Sequence, residues 1–282
     1  MKDKVFKMTL FVSTLALLFL MAGILYLLLS QARPAFEHFG FFRFIGSSEW
    51  NPENGQYGAL PFLTGTLLTA SLALIICIPF SLSLALFVGD LYKGRKIAFR
   101  LNTFIDVLAG TPSVILGIWG YYSLRPFFAA LHIGHQGYGI LPATILLALM
   151  IVPYATSMII TFIAAVPTQL KEGAYCLGAT RFEVIRNISI PFAKKGIMSA
   201  YALALGRVLG ETIIVTIIIG NSNHFPSGIN DIGNTLASVI FNQFETADAL
   251  KFSFLFAIAL LLFLITAIVN LFARYLLRRV VS

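Results

Sequence analysis

Charge is what this sequence of 282 residues has least of: Asp, Glu, Lys and Arg make up 11% of it, against about 25% in soluble domains. That scarcity excludes an ordinary water-exposed surface. Cysteine is nearly absent. Cys77 lies in an apolar run and Cys176 in a polar one, so no disulfide, thiolate zinc site or cysteine nucleophile is suggested. Of the four histidines, His132 and His135 are three apart, but they lack carboxylate or thiol company. They read as an exposed interfacial pair, and no metal site is predicted. No Gly-x-x-x-x-Gly-Lys-[Ser/Thr] run occurs, so the chain lacks the phosphate loop of an ATPase and no cofactor of its own is expected. Sheet-like alternation, low-complexity tracts, linkers and an evident internal repeat are missing too.

What is present is apolar. Hydrophobic residues reach 58% and the mean hydropathy is +0.87, which makes the bilayer the solvent. Six stretches are long enough to cross a hydrocarbon core of about 30 Å: approximately Met8 to Leu29, Leu60 to Val88, Val107 to Leu124, Ile140 to Ala164, Gly196 to Gly220 and Phe252 to Ala273. In lipid the backbone must satisfy itself, so these stretches predict an all-α membrane protein with six transmembrane helices and one domain over 1–282. Basic residues orient it. With both termini in the cytoplasm, only Arg33, Arg43, Arg125 and Lys251 of the 20 Lys and Arg fall outside, and Arg207 falls within a span. That asymmetry obeys the positive-inside rule. The net charge of +8 therefore reports topology and contact with anionic membrane lipid, and no nucleic-acid partner is expected. The first run follows Lys2, Lys4 and Lys7 like a secretion signal, yet its 22 or so apolar residues exceed the usual 7 to 15 of a signal core. It is read as a retained helix.

Local features subdivide this plan. The outside loop Ser30 to Ala59 is rich in aromatics, Gly and Pro, which suits the headgroup interface. Pro79 predicts a kink or tilt in the second span. Gly94 to Phe104 mixes Arg95, Lys96 and Arg100 with apolar residues, as a helix lying on the inner interface would. Gly110-Thr111-Pro112-Ser113 interrupts the third span, and Pro142 and Pro153 mark the fourth. Such breaks favour helices that line a cavity.

Between the fourth and fifth spans, the cytoplasmic segment 165–195 holds Glu172-Gly173-Ala174-Tyr175-Cys176-Leu177-Gly178 and then Ile188-Ser189-Ile190-Pro191. Thr168 predicts an N-cap for a short helix that Gly178 ends. Thr180-Arg181-Phe182-Glu183 predicts a capping box for a second helix that stops before Pro191. Within the spans the only formal charges are Asp106, Arg207 and Glu211. Asp106 is expected at the inner interface, paired with Arg100. Arg207 and Glu211 are four apart, so a helix puts them on nearly one face within pairing distance. Gly206 and Gly210 add small-residue spacing, and Thr212 adds a hydroxyl. Two readings stay open on physics alone: an ion pair that locks helices together, or a solute pathway.

The loop resembles the EAA loop of ABC importer permeases, in which Glu-Ala-Ala, three residues, Gly and nine residues precede Ile-x-Leu-Pro. Gly173 and Ile190 are the departures. Gly206-Arg207-Val208-Leu209-Gly210-Glu211-Thr212, Leu108-Ala109-Gly110-Thr111-Pro112-Ser113-Val114 and Trp50-Asn51-Pro52 extend the resemblance. Together they resemble the permease subunits of the phosphate-specific ABC importer, and the PstC type rather than the PstA type, since Glu211-Thr212 leads into Ile213-Ile214-Val215-Thr216 and ends at Gly220-Asn221. Thr111 stands where that family has Ile.

The resemblance implies a type I permease fold in the bacterial cytoplasmic (inner) membrane. It implies a heterodimer with a second, related permease subunit, two ATPase subunits that use the ATP, an external phosphate-binding protein, and inorganic phosphate as solute. It implies that Arg207, Glu211 and Thr212 lie on the substrate pathway, and that Glu172, Gly173, Ala174, Gly178, Ile188 and Pro191 couple to the ATPase. Arg207 would grip phosphate through two N–H groups. Glu211 would hold Arg207 when the path is empty, repel a dianion, or accept a hydrogen bond from a protonated phosphate oxygen. An intramembrane arginine would equally serve another oxyanion, sulfate or molybdate. A secondary carrier would need no docking loop, and an enzyme acting on lipid through Glu211 would need a second catalytic group at that depth.

Overall fold

A computed structural model describes residues 2–279. The C-terminal tip 280–282, assigned above to the cytoplasm, lies outside the described residues. Helix α1 (Lys2–Phe39) runs ten residues past its predicted end, through Pro34. Ala32, Ala35 and Phe36 on this extension pack with Leu25 and Leu28 onto the last helix, α13 (Ala249–Arg279). A short helix α2 (Phe41–Gly46) follows, then a hairpin in which β1 (Trp50–Asn51) pairs antiparallel with β2 (Gln56–Tyr57). This loop is a packed core rather than an interfacial fringe. Phe44, Trp50, Tyr57 and Phe62 are all buried with Phe254, and the Tyr57 and Phe254 rings stack at 3.8 Å. Burial of Trp50 is tolerated because its indole N–H donates to Gln243 Oε1 at 3.1 Å.

Helix α3 (Leu60–Leu86) and helix α7 (Ile140–Ala164) form the centre. Their contact is lined by small residues, Ala70, Ala73 and Cys77 among them with Ala143, Ala148 and Ala155. Small side chains let helices approach closely, and packing then replaces the hydrophobic drive that lipid cannot supply. Pro79 and Pro153 sit inside these helices, whereas Pro142 is in the first turn of α7, where no hydrogen bond is lost.

Two predicted spans are not single helices. Helix α4 (Lys96–Ala109) continues past Phe104 through Val107, and a 94° bend at Gly110–Pro112 separates it from the helical run 113–130. That run comprises α5 (Ser113–Trp119), a wide π-turn and α6 (Arg125–Ala130). The stretch 107–124 is therefore broken at 110–112, because Pro112 lacks an N–H and disfavours helix in the residue before it. The fifth stretch divides into α10 (Ile190–Leu209) and α11 (Ile213–Ile218). Among the described residues four helices are long and apolar enough to cross a membrane, and the bent α4–α6 segment counts as a fifth if it is taken as one span. The α10–α11 pair is not among them; it carries Lys194, Lys195 and Arg207 besides its break. Helix α12 (Leu236–Gln243) covers the outer end of α3 and α13, with Leu236 N–H donating to Thr66 Oγ1 at 2.9 Å.

Candidate functional site

The polar centre sits at the break between α10 and α11. Gly210 ends α10 and only Gly210–Thr212 stands between the two helices. Glu211 lies in that gap. Its Oε1 accepts from the backbone N–H groups of Ile213 (3.1 Å) and Ile214 (3.3 Å), satisfying donors that begin α11. The predicted Arg207–Glu211 pair is therefore not formed: among the described residues the ion pairs are Arg33–Glu37 and Lys171–Asp90. Four-residue spacing failed as a guide because the helix stops at Leu209, before it reaches Glu211.

Arg207, half-buried in the last turn of α10, instead lays its guanidinium over the Tyr154 ring of α7, 4.7 Å from the centroid. A cation–π contact of this kind needs none of the N–H donors of the fork. No carboxylate or carbonyl among the described residues accepts from Arg207. Thr212 is half-buried beside it in sequence, and its hydroxyl donates to the Gly210 carbonyl at 3.4 Å. One turn on, the Thr216 hydroxyl is buried without a hydrogen-bond partner among the described residues. Gly206 faces Asn270 of α13, whose Oδ1 would stand 3.3 Å from an added Cβ, while Gly210 opens outward. The small pair therefore serves two purposes, a close helix approach at one glycine and a break at the other.

The bent helix supplies the facing wall. Gly117 of α5 lies against Ile214 and Ile217 of α11, where any Cβ would come within 2.9 Å of Ile217 Cδ1. Thr111 does not add a free hydroxyl, since it donates to the Val107 carbonyl at 3.0 Å and closes the end of α4. Asp106 does not take Arg100 as its partner. It accepts from Asn102 (3.0 Å) and from Ser157 of α7 (2.6 Å), which ties the amphipathic α4 to the central helix.

In the segment 165–195, α8 (Thr168–Cys176) starts with Thr168 as its first helical residue, and Pro167 occupies the cap position with no side-chain bond. Gly178 is left-handed at φ +84°, as predicted. The Thr180–Glu183 capping box opens α9 (Arg181–Val184), with Glu183 Oε2 accepting from Thr180 N–H at 2.7 Å. These bonds from Thr180 hold the Glu183 carboxyl below the usual carboxylate range. The second helix does not stop before Pro191. A π-turn, Ile185–Ser189, leads straight into α10, with Pro191 as the second residue of α10.

Glu172, Gly173 and Gly178 are exposed, Ala174 and Ile188 half-buried, and Pro191 exposed. Leu177 (91% exposed) and Phe182 (69% exposed) stand on the same loop with no apolar cover. Sequence reading missed Tyr154, Asn270 and the buried Asp90–Lys171 pair. Tyr154 and Asn270 were legible as polar groups inside apolar runs; Asp90 fell just past the predicted end of a span.

A helical membrane domain with a broken, arginine-bearing helix and a two-helix cytoplasmic loop defines a transport permease by its form. Residues 78–282 match the family described as "Binding-protein-dependent transport system inner membrane component", and the chain belongs to that family. Among its relatives is "Phosphate transport system permease protein PstC" of Mesorhizobium japonicum, 35% identical over 99% of this chain and 90% of the relative. The protein of the same description from Xylella fastidiosa is 38% identical over 84% of this chain and 78% of its own length. Solved structures share the fold. The alginate ABC transporter in complex with its pentasaccharide-bound periplasmic protein matches 99% of this chain and 97% of that chain at TM-score 0.68 and 15% identity. The inward-facing MetNI methionine ABC transporter matches 77% of this chain and 93% of that chain at 0.60 and 17%.

Proposed function

We propose that this chain is the permease subunit of an ATP-driven importer that carries inorganic phosphate across the inner membrane. The observation that carries the reading is Arg207: a guanidinium over the Tyr154 ring, half-buried at a helix break, with no acidic partner among the described residues. A cation at membrane depth costs several kcal/mol unless it meets a partner or a pathway. Here the site is built to receive an anion from outside. Glu211, by capping α11, keeps its charge beside the path without occupying the arginine, so a dianion is bound and then released. Arg207, Glu211 and Thr212 border that path. The permease descriptions of the relatives name phosphate, and this chemistry fits it.

The chain itself carries no nucleotide-phosphate loop, so hydrolysis of ATP belongs to separate ATPase subunits. The segment 165–195 receives them. Glu172, Gly173, Ala174 and Gly178 lie on α8 and its terminal turn, and Ile188 and Pro191 lie where α9 passes into α10. The exposed Leu177 and Phe182 supply the apolar contact. A second, related permease completes the channel, an external phosphate-binding protein delivers the solute, both termini face the cytoplasm, and the broken α10–α11 is the sixth crossing.

The test is Arg207→Lys in the complete complex, with binding protein and ATPase present. Hydrogen bonds to charged groups contribute about 1.5 to 3 kcal/mol, so losing the two-pronged grip lowers phosphate uptake about ten- to hundredfold although the charge is kept. Uptake at the wild-type rate would reject the assignment of Arg207.

A further inference from the structure

Asp90, Lys171 and Ser189 come from three different elements and meet inside the protein. Lys171 Nζ lies 2.6 Å from Asp90 Oδ2, and the Ser189 hydroxyl donates to the same oxygen at 2.5 Å. The Asp90 and Lys171 side chains are 9% and 13% exposed, and Ser189 is fully buried. Asp90 sits in a π-turn, Phe87–Leu91, that continues α3; Ser189 ends another π-turn, Ile185–Ser189, directly before α10. Two rare backbone widenings thus converge on one carboxylate. Lys93, just beyond, donates to the Ala164 carbonyl at the end of α7 at 3.0 Å. Gly89 packs against Ile160 and Ile163 of α7, so the inner end of α3 is held from several sides.

A buried ion pair adds little net stability, because removing two charges from water costs about what their attraction returns. Its usual value is to fix geometry. Lys171 precedes Glu172 on α8, the helix proposed to meet the ATPase, while Ser189 opens the helix that carries Arg207. From Ser189 to Arg207 is about 27 Å of helix at 1.5 Å per residue.

We propose that Asp90 is a positioning residue that clasps α8 to the inner ends of α3 and α10, so that movement of the ATPase on α8 reaches Arg207 as rigid-body displacement. This rests on the docking role given to α8 above. Loss of the clasp leaves docking and ATP hydrolysis in place and frees α8 to move without α10.

The test uses the complete complex in vesicles and measures phosphate uptake and ATP hydrolysis together in Asp90→Asn, Lys171→Met and the double variant. Each single change strands a buried charge, so either one alone can prevent assembly. The double variant removes both charges and restores assembly. It is expected to hydrolyse ATP at a rate within about threefold of wild type while uptake per ATP falls at least tenfold. An uptake-to-ATP ratio like wild type in the double variant would overturn the proposal, and so would failure of the double variant to assemble, which would assign the clasp to folding alone. The wild-type complex run in parallel separates the two levels. If it shows no ATP-driven uptake, the docking role of α8 fails; if only the variant ratio is unchanged, the clasp fails.

Discussion

Arg207 and Tyr154 define the residue scale. A guanidinium centred 4.7 Å from a ring leaves its N–H donors without a partner among the described residues, the arrangement that suits an oxyanion which comes and goes. Tyr154→Phe preserves the ring face and is expected to keep at least half of the phosphate uptake. Tyr154→Ala removes the platform and is expected to lower uptake about tenfold, in line with about 1 to 2 kcal/mol for a desolvated cation–π contact. Equal uptake in both variants would show that the stacking has no part in transport. Gly178 is the other decisive residue. Its φ of +84° is a conformation that a β-branched residue adopts only with strain. Gly178→Val is expected to abolish ATP-driven uptake in protein that still reaches the membrane, measured by uptake against membrane abundance. Gly173 differs: nothing lies within 4 Å of an added Cβ, so Gly173→Ala is expected to leave uptake unchanged.

At the scale of elements, α8 and α9 show what capping does. The box at Thr180–Glu183 satisfies two backbone donors at once, and Thr180→Ala is expected to cost about 1 kcal/mol of local helix stability, seen as faster amide exchange across 181–185. The Glu183 carboxyl titrates below its unfolded value, so its contribution is present above the ordinary carboxylate range and is lost as pH falls through the lowered value. These caps were legible because Thr, Glu and Gly at fixed offsets signal a helix end by chemistry local to the backbone. The breaks were less so. Gly110-Thr111-Pro112 announced an interruption but not its angle of 94°, and the bond from Ser157 to Asp106 joins residues far apart in sequence. Glu211 was visible as a charge in an apolar run, yet its bonds to Ile213 and Ile214 required knowing that α10 ends at Leu209. The hairpin at Trp50–Tyr57 read as interfacial because aromatic content alone does not distinguish a headgroup belt from a packed cluster. Trp50→Ala is expected to destabilise the outer cluster by about 3 to 5 kcal/mol, read as lost thermal stability of the purified protein.

On the scale of the whole molecule, three features act in series. A loop with exposed Leu177 and Phe182 is the surface proposed to meet the ATPase, the buried Asp90–Lys171–Ser189 contact joins that loop to α10, and α10 ends at the arginine beside a helix break. Composition and periodicity conveyed the bilayer and the helices, and local motifs conveyed the loop and Arg207. The clasp was hidden because its three members are separated by 81 and 99 residues, and only folding brings them together. The most direct test is uptake of radiolabelled phosphate into vesicles that hold the reconstituted complex and its binding protein, with ATP supplied to the ATPase side and unlabelled sulfate as competitor. The account predicts accumulation that needs ATP, persists against excess sulfate and is lost in Arg207→Lys. Phosphate entry without ATP, or entry that Arg207→Lys leaves intact, would contradict it.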